Sequence, residues 1–148
     1  MLMGRRLAFD YGDVRIGVAI SDLGGILASP LTTLLAKSDS LEAQLHELIL
    51  EYNPIYIVVG NPRHLSGKES TKGEVVKNFL NYLTTLTDVP LFSVDERLST
   101  VSALKTLQAS GINAKAAKSK VDEMAAVAIL EQALDQERLT GRINGIAL

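Results

Sequence analysis

Three segments whose apolar residues alternate stand one after another before any helical period appears. That order restricts the fold more than any other feature of the 148 residues. Residues 5–11 carry Leu7, Phe9 and Tyr11, and residues 15–22 carry Ile16, Val18 and Ile20; the tight "GDVR" between them predicts a hairpin. Gly24 and Gly25 then precede "ILASPLTTLLA", a third antiparallel strand in which Pro30 marks an edge or an irregularity. From about residue 40 the period becomes helical, with Leu41, Leu45, Leu48 and Tyr52 in step and Ser38, Asp39 and Ser40 as caps. "PIYIVVGNP" is a nearly continuous apolar run, suited to a central parallel strand buried on both faces.

Residues 61–70, "NPRHLSGKES", read as a polar loop, and Val75, Val76, Phe79, Leu80, Leu83 and Leu86 as a second helix ending before Pro90. "PLFSVDE" is another buried strand. A helix near 99–110 stopped by Gly111, a lysine-bearing loop to about 120 and a last helix from about 120 to 138 complete the order βββαβαβαα. Three antiparallel strands followed by parallel βα units make an α/β fold: a mixed five-stranded sheet flanked by helices, one domain over residues 1–148 with a loose tail from about 140.

A composition of 47% hydrophobic and 22% charged residues is that of a folded chain and excludes disorder throughout. There is no cysteine, which removes disulfides, zinc-thiolate sites and thiol catalysis and fits a reducing compartment. Neither a signal peptide nor an apolar run long enough for a membrane span is present, so a cytoplasmic protein with no membrane partner is expected. A formal net charge of −2 argues against coating nucleic acid over the whole surface but leaves room for local basic patches.

Three acids stand out, each with an ordinary reading beside a chemical one. Asp10 closes the first strand just before Gly12, where aspartate commonly serves a turn, yet a carboxylate held against a sheet is costly without a partner or a metal. Glu96, in "SVDERLST", follows an apolar strand; there it is either a solvated strand exit or an acid at the carboxyl end of a strand, where ligands of α/β sheets collect. Asp122 sits three residues after Ser119, as in a capping box. At about 100° per residue, however, it shares an arc with Ala125, Ala126, Ile129 and Ala133, which aims it inward. Together the three ask for carboxylates converging at one end of a sheet, which raise each other's pKa unless cations neutralise them. Mg²⁺ or Mn²⁺ answers that need, since pairs of such ions about 4 Å apart clamp the attacking and leaving oxygens of a phosphodiester. No competing cluster is visible: the chain lacks a P-loop lysine after "GDVRIG" and a G-x-S-x-G, and His46 and His64 share no ligand spacing.

Four blocks in order resemble the YqgF-type branch of the ribonuclease H-like nucleases, described as Holliday junction resolvases or pre-16S rRNA processing nucleases. "FDYGDVRIGVAISD" is similar to its D-x-G-x-x-R-x-G opening, "IVVGNP" to its middle strand and loop, "DERLST" to its D-E-R-hydroxyl block and "VDEMAAVAIL" to its closing D-x-x-A-A helix. The resemblance implies a ribonuclease H-like sheet and a metal-dependent phosphodiesterase in which Asp10, Glu96 and Asp122 are both catalytic residues and ligands of two Mg²⁺ or Mn²⁺ ions. It also implicates Arg15, Arg97 and the Gly60 loop. Arg15 offers either a fork for phosphate or a salt bridge within the hairpin. Arg63 and Lys68 after Gly60, and Lys115, Lys118 and Lys120 before Asp122, give the basic borders from which a backbone is gripped locally. Gly12, Gly17 and Gly60 are expected to shape the site, Gly12 by leaving room for a phosphate backbone.

The substrate expected first is the 5′ end of precursor 16S rRNA, in ribosome biogenesis. The alternative is a Holliday junction resolvase acting on branched DNA, which would work as a homodimer rather than a monomer. A non-catalytic nucleic-acid-binding module and an actin-like or sugar kinase are the rivals from other classes; the kinase would need two domains.

Overall fold

Alternation in the first segment becomes β1, Arg6–Tyr11, and in the second becomes β2, Arg15–Ser21, joined by a turn in which the Gly12 amide donates to the Arg15 carbonyl at 2.9 Å. The strands pair antiparallel with Asp10 opposite Gly17. β3, Ala28–Leu35, pairs antiparallel with β2, and the register slips between Val18 and Ala19 so that Ala19 faces Pro30 while Val18 faces Thr32. Leu31 is thus the extra residue of a bulge next to the proline. In this computed structural model, which describes residues 3–61, 71–95, 114–141 and 146–147, β4 (Tyr56–Asn61) lies parallel to β1, and β5 (Leu91–Asp95) parallel to β4.

The five expected strands are joined by a short sixth. β6, Ile146–Ala147, pairs antiparallel with β5, and the sheet order is β3-β2-β1-β4-β5-β6. It lies within the stretch expected as a tail from about 140; two residues carry too little alternation to be read as a strand.

Three helices are described. α1 is Leu41–Tyr52, α2 is Thr71–Leu86 and α3 is Ala114–Thr140. Ser40 holds the N-cap of α1 but makes no side-chain cap; instead the Ser38 hydroxyl accepts from the Ser40 amide. α3 begins well before the expected position near 120, so Lys115, Lys118 and Lys120 lie along its first turns rather than in a loop. Ser119 is therefore inside the helix, which removes the capping box as an account of Asp122. The helix expected near 99–110 lies outside the described residues.

Pleating divides the sheet into two unlike faces. Leu7, Phe9, Ile16, Val18, Ile20, Ile57 and Val59 fill one with large side chains, packed with Leu45 of α1 and with Val76, Phe79, Leu80 and Leu83 of α2. Ala8, Ala19, Ala28, Val58 and Val94 line the other, where α3 lays down Ala125, Ala126, Ile129, Ala133 and Leu134. Small residues on both partners let the α3 backbone come close to the sheet. At the far end of that helix the fully buried Arg6 guanidinium is held by Glu137 through Nε–Oε1 at 3.2 Å and Nη2–Oε2 at 2.7 Å, and the Tyr56 hydroxyl donates to Glu137 at 2.8 Å. Among the described residues no helix is long and apolar enough to cross a membrane.

Candidate active site

β1, β4 and β5 run parallel, so their carboxyl ends share one edge of the sheet. Asp10 lies at that edge on β1. Strand alternation puts it on the same face as Ala8, the face covered by α3, and it is only 3% exposed. A carboxylate so buried needs hydrogen bonds or a cation close by to remain charged.

What brings Asp122 to it is a missing side chain. Gly17 is the register partner of Asp10, and a Cβ built on Gly17 would meet the Asp122 carbonyl oxygen at 2.0 Å and its carbon at 2.4 Å. The helix backbone therefore rests on β2 beside Asp10, more than two turns into α3. The inward arc inferred from the helical wheel is realised, since Ala125, Ala126, Ile129 and Ala133 are all buried. Gly12 does something other than leave space for a backbone: a Cβ there would meet the Arg15 carbonyl oxygen at 2.6 Å, so the turn itself uses that room.

Arg15 forms a salt bridge, but not within the hairpin. Its Nε donates to Asp122 Oδ2 at 2.7 Å, with 28% of the arginine and 16% of the aspartate side chain exposed. Next along the helix, Glu123 Oε2 accepts from the Thr33 hydroxyl of β3 at 2.9 Å. Sequence reasoning missed both Thr33 and Gln132, whose Nε2 donates to the Asp95 carbonyl at 3.3 Å and so ties α3 to the end of β5. The one available signal was Gln132 itself, which with Glu131 interrupts the apolar run of "AVAILEQAL".

Asp10, Asp122, Arg15 and Gly17 are thus brought together, and Gly60 lies in β4 beside β5 Val94. Lys120 is exposed. Glu96, Arg97, Arg63 and Lys68 lie outside the described residues; Glu96 is the residue after Asp95, where β5 ends. Among the described residues no three His, Cys, Asp or Glu side chains gather as a metal-holding group. The two described acids offer hard carboxylate oxygens, the donor type that suits Mg²⁺ or Mn²⁺.

A mixed sheet of three antiparallel strands followed by parallel strands, with Asp10 at the carboxyl end of β1, has the ribonuclease H-like architecture. The fold matches that of T. thermophilus RuvC in complex with a Holliday junction substrate, with a TM-score of 0.60 at 15% identity over 98% of this chain and 99% of that one. A family model described as "RuvX: Holliday junction resolvase" matches residues 4–136, and the chain belongs to the RuvX family. Among its relatives are proteins described as "Putative pre-16S rRNA nuclease" from Streptomyces coelicolor, 46% identical over 98% of this chain and 88% of the relative, and from Leifsonia xyli, 42% identical over 98% and 94%.

Proposed function

We propose that this chain is a divalent-metal-dependent nuclease that hydrolyses phosphodiester bonds at the 5′ end of precursor 16S rRNA. The observation that carries the chemistry is the seating of the α3 backbone on Gly17, which sets Asp122 beside the strand position of Asp10. Asp10, Asp122 and Glu96 would hold two Mg²⁺ or Mn²⁺ ions. When bound, such ions lower the pKa of a coordinated water and neutralise charge on the phosphoryl oxygens. The chain's own groups do the rest. Asp10, sheltered by α3, offers a carboxylate kept from bulk water. Arg15, with Arg63, Lys68, Arg97, Lys115, Lys118 and Lys120, contacts the nucleic-acid backbone. Such contacts set register on the strand and carry no sequence preference themselves.

The rRNA substrate is supported by the descriptions of relatives that match nearly the whole chain. A second reading, resolution of four-way DNA junctions, is favoured by the description of the RuvX family. Either substrate would place the activity in the cytoplasm, and the junction reading calls for a symmetric homodimer with two sites, which the RNA reading does not.

Asp10→Asn tests the chemistry. With Mg²⁺ or Mn²⁺, wild type is expected to shorten a precursor 16S 5′-end RNA and leave a four-way junction intact, while the variant keeps its circular dichroism and loses at least about 10³-fold in cleavage rate. Undiminished cleavage by the variant would overturn the metal site. Cutting of the junction in preference to the RNA would transfer the site to the second reading, and binding of RNA without cleavage by wild type would make the chain a nucleic-acid-binding module.

A further inference from the structure

Among the described residues α3 makes two arginine–carboxylate pairs with the sheet, and they differ in kind. Arg6 and Glu137 meet through two hydrogen bonds, with none of the arginine side chain and 10% of the glutamate side chain exposed. Arg15 and Asp122 meet through Nε alone, with both side chains reached by solvent. Among the described residues the two terminal guanidinium nitrogens of Arg15 have no hydrogen bond, so most of its donors are unspent. A two-point, water-free pair is a fixed clamp, whereas a single partly hydrated contact is one that a stronger cation can replace.

We infer that Arg15 is an exchangeable counter-ion. In the metal-free chain it neutralises Asp122; a divalent cation held by the Asp10 and Asp122 carboxylates would take its place and release the guanidinium to a phosphate of the substrate. The inference rests on the metal-dependent reading proposed above and extends it, because one residue then links metal binding to nucleic-acid binding. A group that must leave Asp122 before a metal can bind weakens metal affinity while no substrate is present, and by reciprocity a substrate that draws Arg15 away strengthens it.

The test is titration of Mn²⁺ into the full chain without nucleic acid, followed by the electron paramagnetic resonance signal of free Mn²⁺. Arg15→Gln is expected to bind Mn²⁺ about three- to fivefold more tightly than wild type, the range set by removing one partly exposed ion-pair competitor. Arg5→Gln removes the same charge at the far end of the sheet, where Arg5 donates to the Ser21 carbonyl, and is expected to match wild type. Arg15→Lys keeps the charge but lacks the Nε–H, should fall between, and serves if the glutamine variant does not fold. Equal or weaker Mn²⁺ affinity in both Arg15 variants would overturn the exchange and leave Arg15 as a fixed support of Asp122. If wild type has no Mn²⁺ site that Asp10→Asn abolishes, the metal-dependent reading falls and takes this inference with it; a site lost in Asp10→Asn but unchanged in the Arg15 variants removes the inference alone.

Discussion

Arg6 has no exposed surface, and its charge is tolerated there because Glu137 takes it with two hydrogen bonds, Nη1 donates to the Gly4 carbonyl, and the Tyr56 ring lies 5.6 Å from the guanidinium carbon. Burial, then the hydrogen bond to Glu137, pushes the Tyr56 hydroxyl well above the usual phenol range, so it remains a donor at every pH at which the protein is handled. The group is satisfied as a set, which makes removal of one member expensive. Glu137→Gln leaves a buried guanidinium facing a neutral amide and is expected to cost about 3–5 kcal/mol in urea unfolding. Replacing both partners together, as Arg6→Met with Glu137→Leu, should cost less than Glu137→Leu alone, since no uncompensated charge remains. A loss under about 1 kcal/mol in Glu137→Gln would show that solvent reaches Arg6 and that the pair is not a clamp.

At the scale of the element, the position of one helix on one sheet face brings Asp122 beside the strand position of Asp10. Gly17 is not among the glycines with positive φ, so alanine is allowed by its backbone and would ordinarily be neutral or slightly stabilising. What forbids it is the α3 carbonyl at 2.0 Å. Gly17→Ala is therefore expected to remain folded but to move α3 off β2 and lower the cleavage rate by about 10²-fold or more, as displacements near 1 Å do in positioned sites. Gly24→Ala, whose Cβ would make an ordinary 3.6 Å contact with the Ile26 side chain, is the matched control and should cleave as wild type does. Wild-type cleavage by Gly17→Ala would mean that the helix position is not what sets the site. The strands and the first two helices were legible because each carries its own period, as Leu7, Phe9 and Tyr11 do in β1. The inward aim of Asp122 was legible for the same reason. The start of α3 was not, because "AKAAKSK" has no apolar stripe and gains its helical state from the stretch that follows. Nor was the partner of Arg15, since a bond between residues 107 positions apart follows from tertiary packing alone.

Over the whole molecule, neither sheet face is uniformly basic: α3 carries Glu123, Glu131 and Asp135 beside its lysines, and α2 on the other face carries Lys77. α1 carries Glu42, Glu47 and Glu51 with no lysine or arginine, and it packs on the sheet face opposite α3. The exposed Lys120 lies on α3, two residues before Asp122. A chain of net charge −2 with no uniformly basic face can hold a polyanion through few phosphates only. Binding should therefore depend on salt, but with a shallow slope. Using the non-cleaving Asp10→Asn protein and a labelled single-stranded RNA from the 16S precursor 5′ end, we expect anisotropy titrations between 50 and 200 mM salt to give log K against log[salt] with a slope of about −3, equivalent to roughly four phosphates at about −0.7 each. Lys120→Gln should lower the magnitude of that slope by about 0.7 and weaken all single strands alike, because a phosphate contact carries no base preference. A slope steeper than about −8 would require cations distributed around the molecule, which the acidic α1 side opposes. An unchanged slope in Lys120→Gln would move the backbone track away from the first turns of α3.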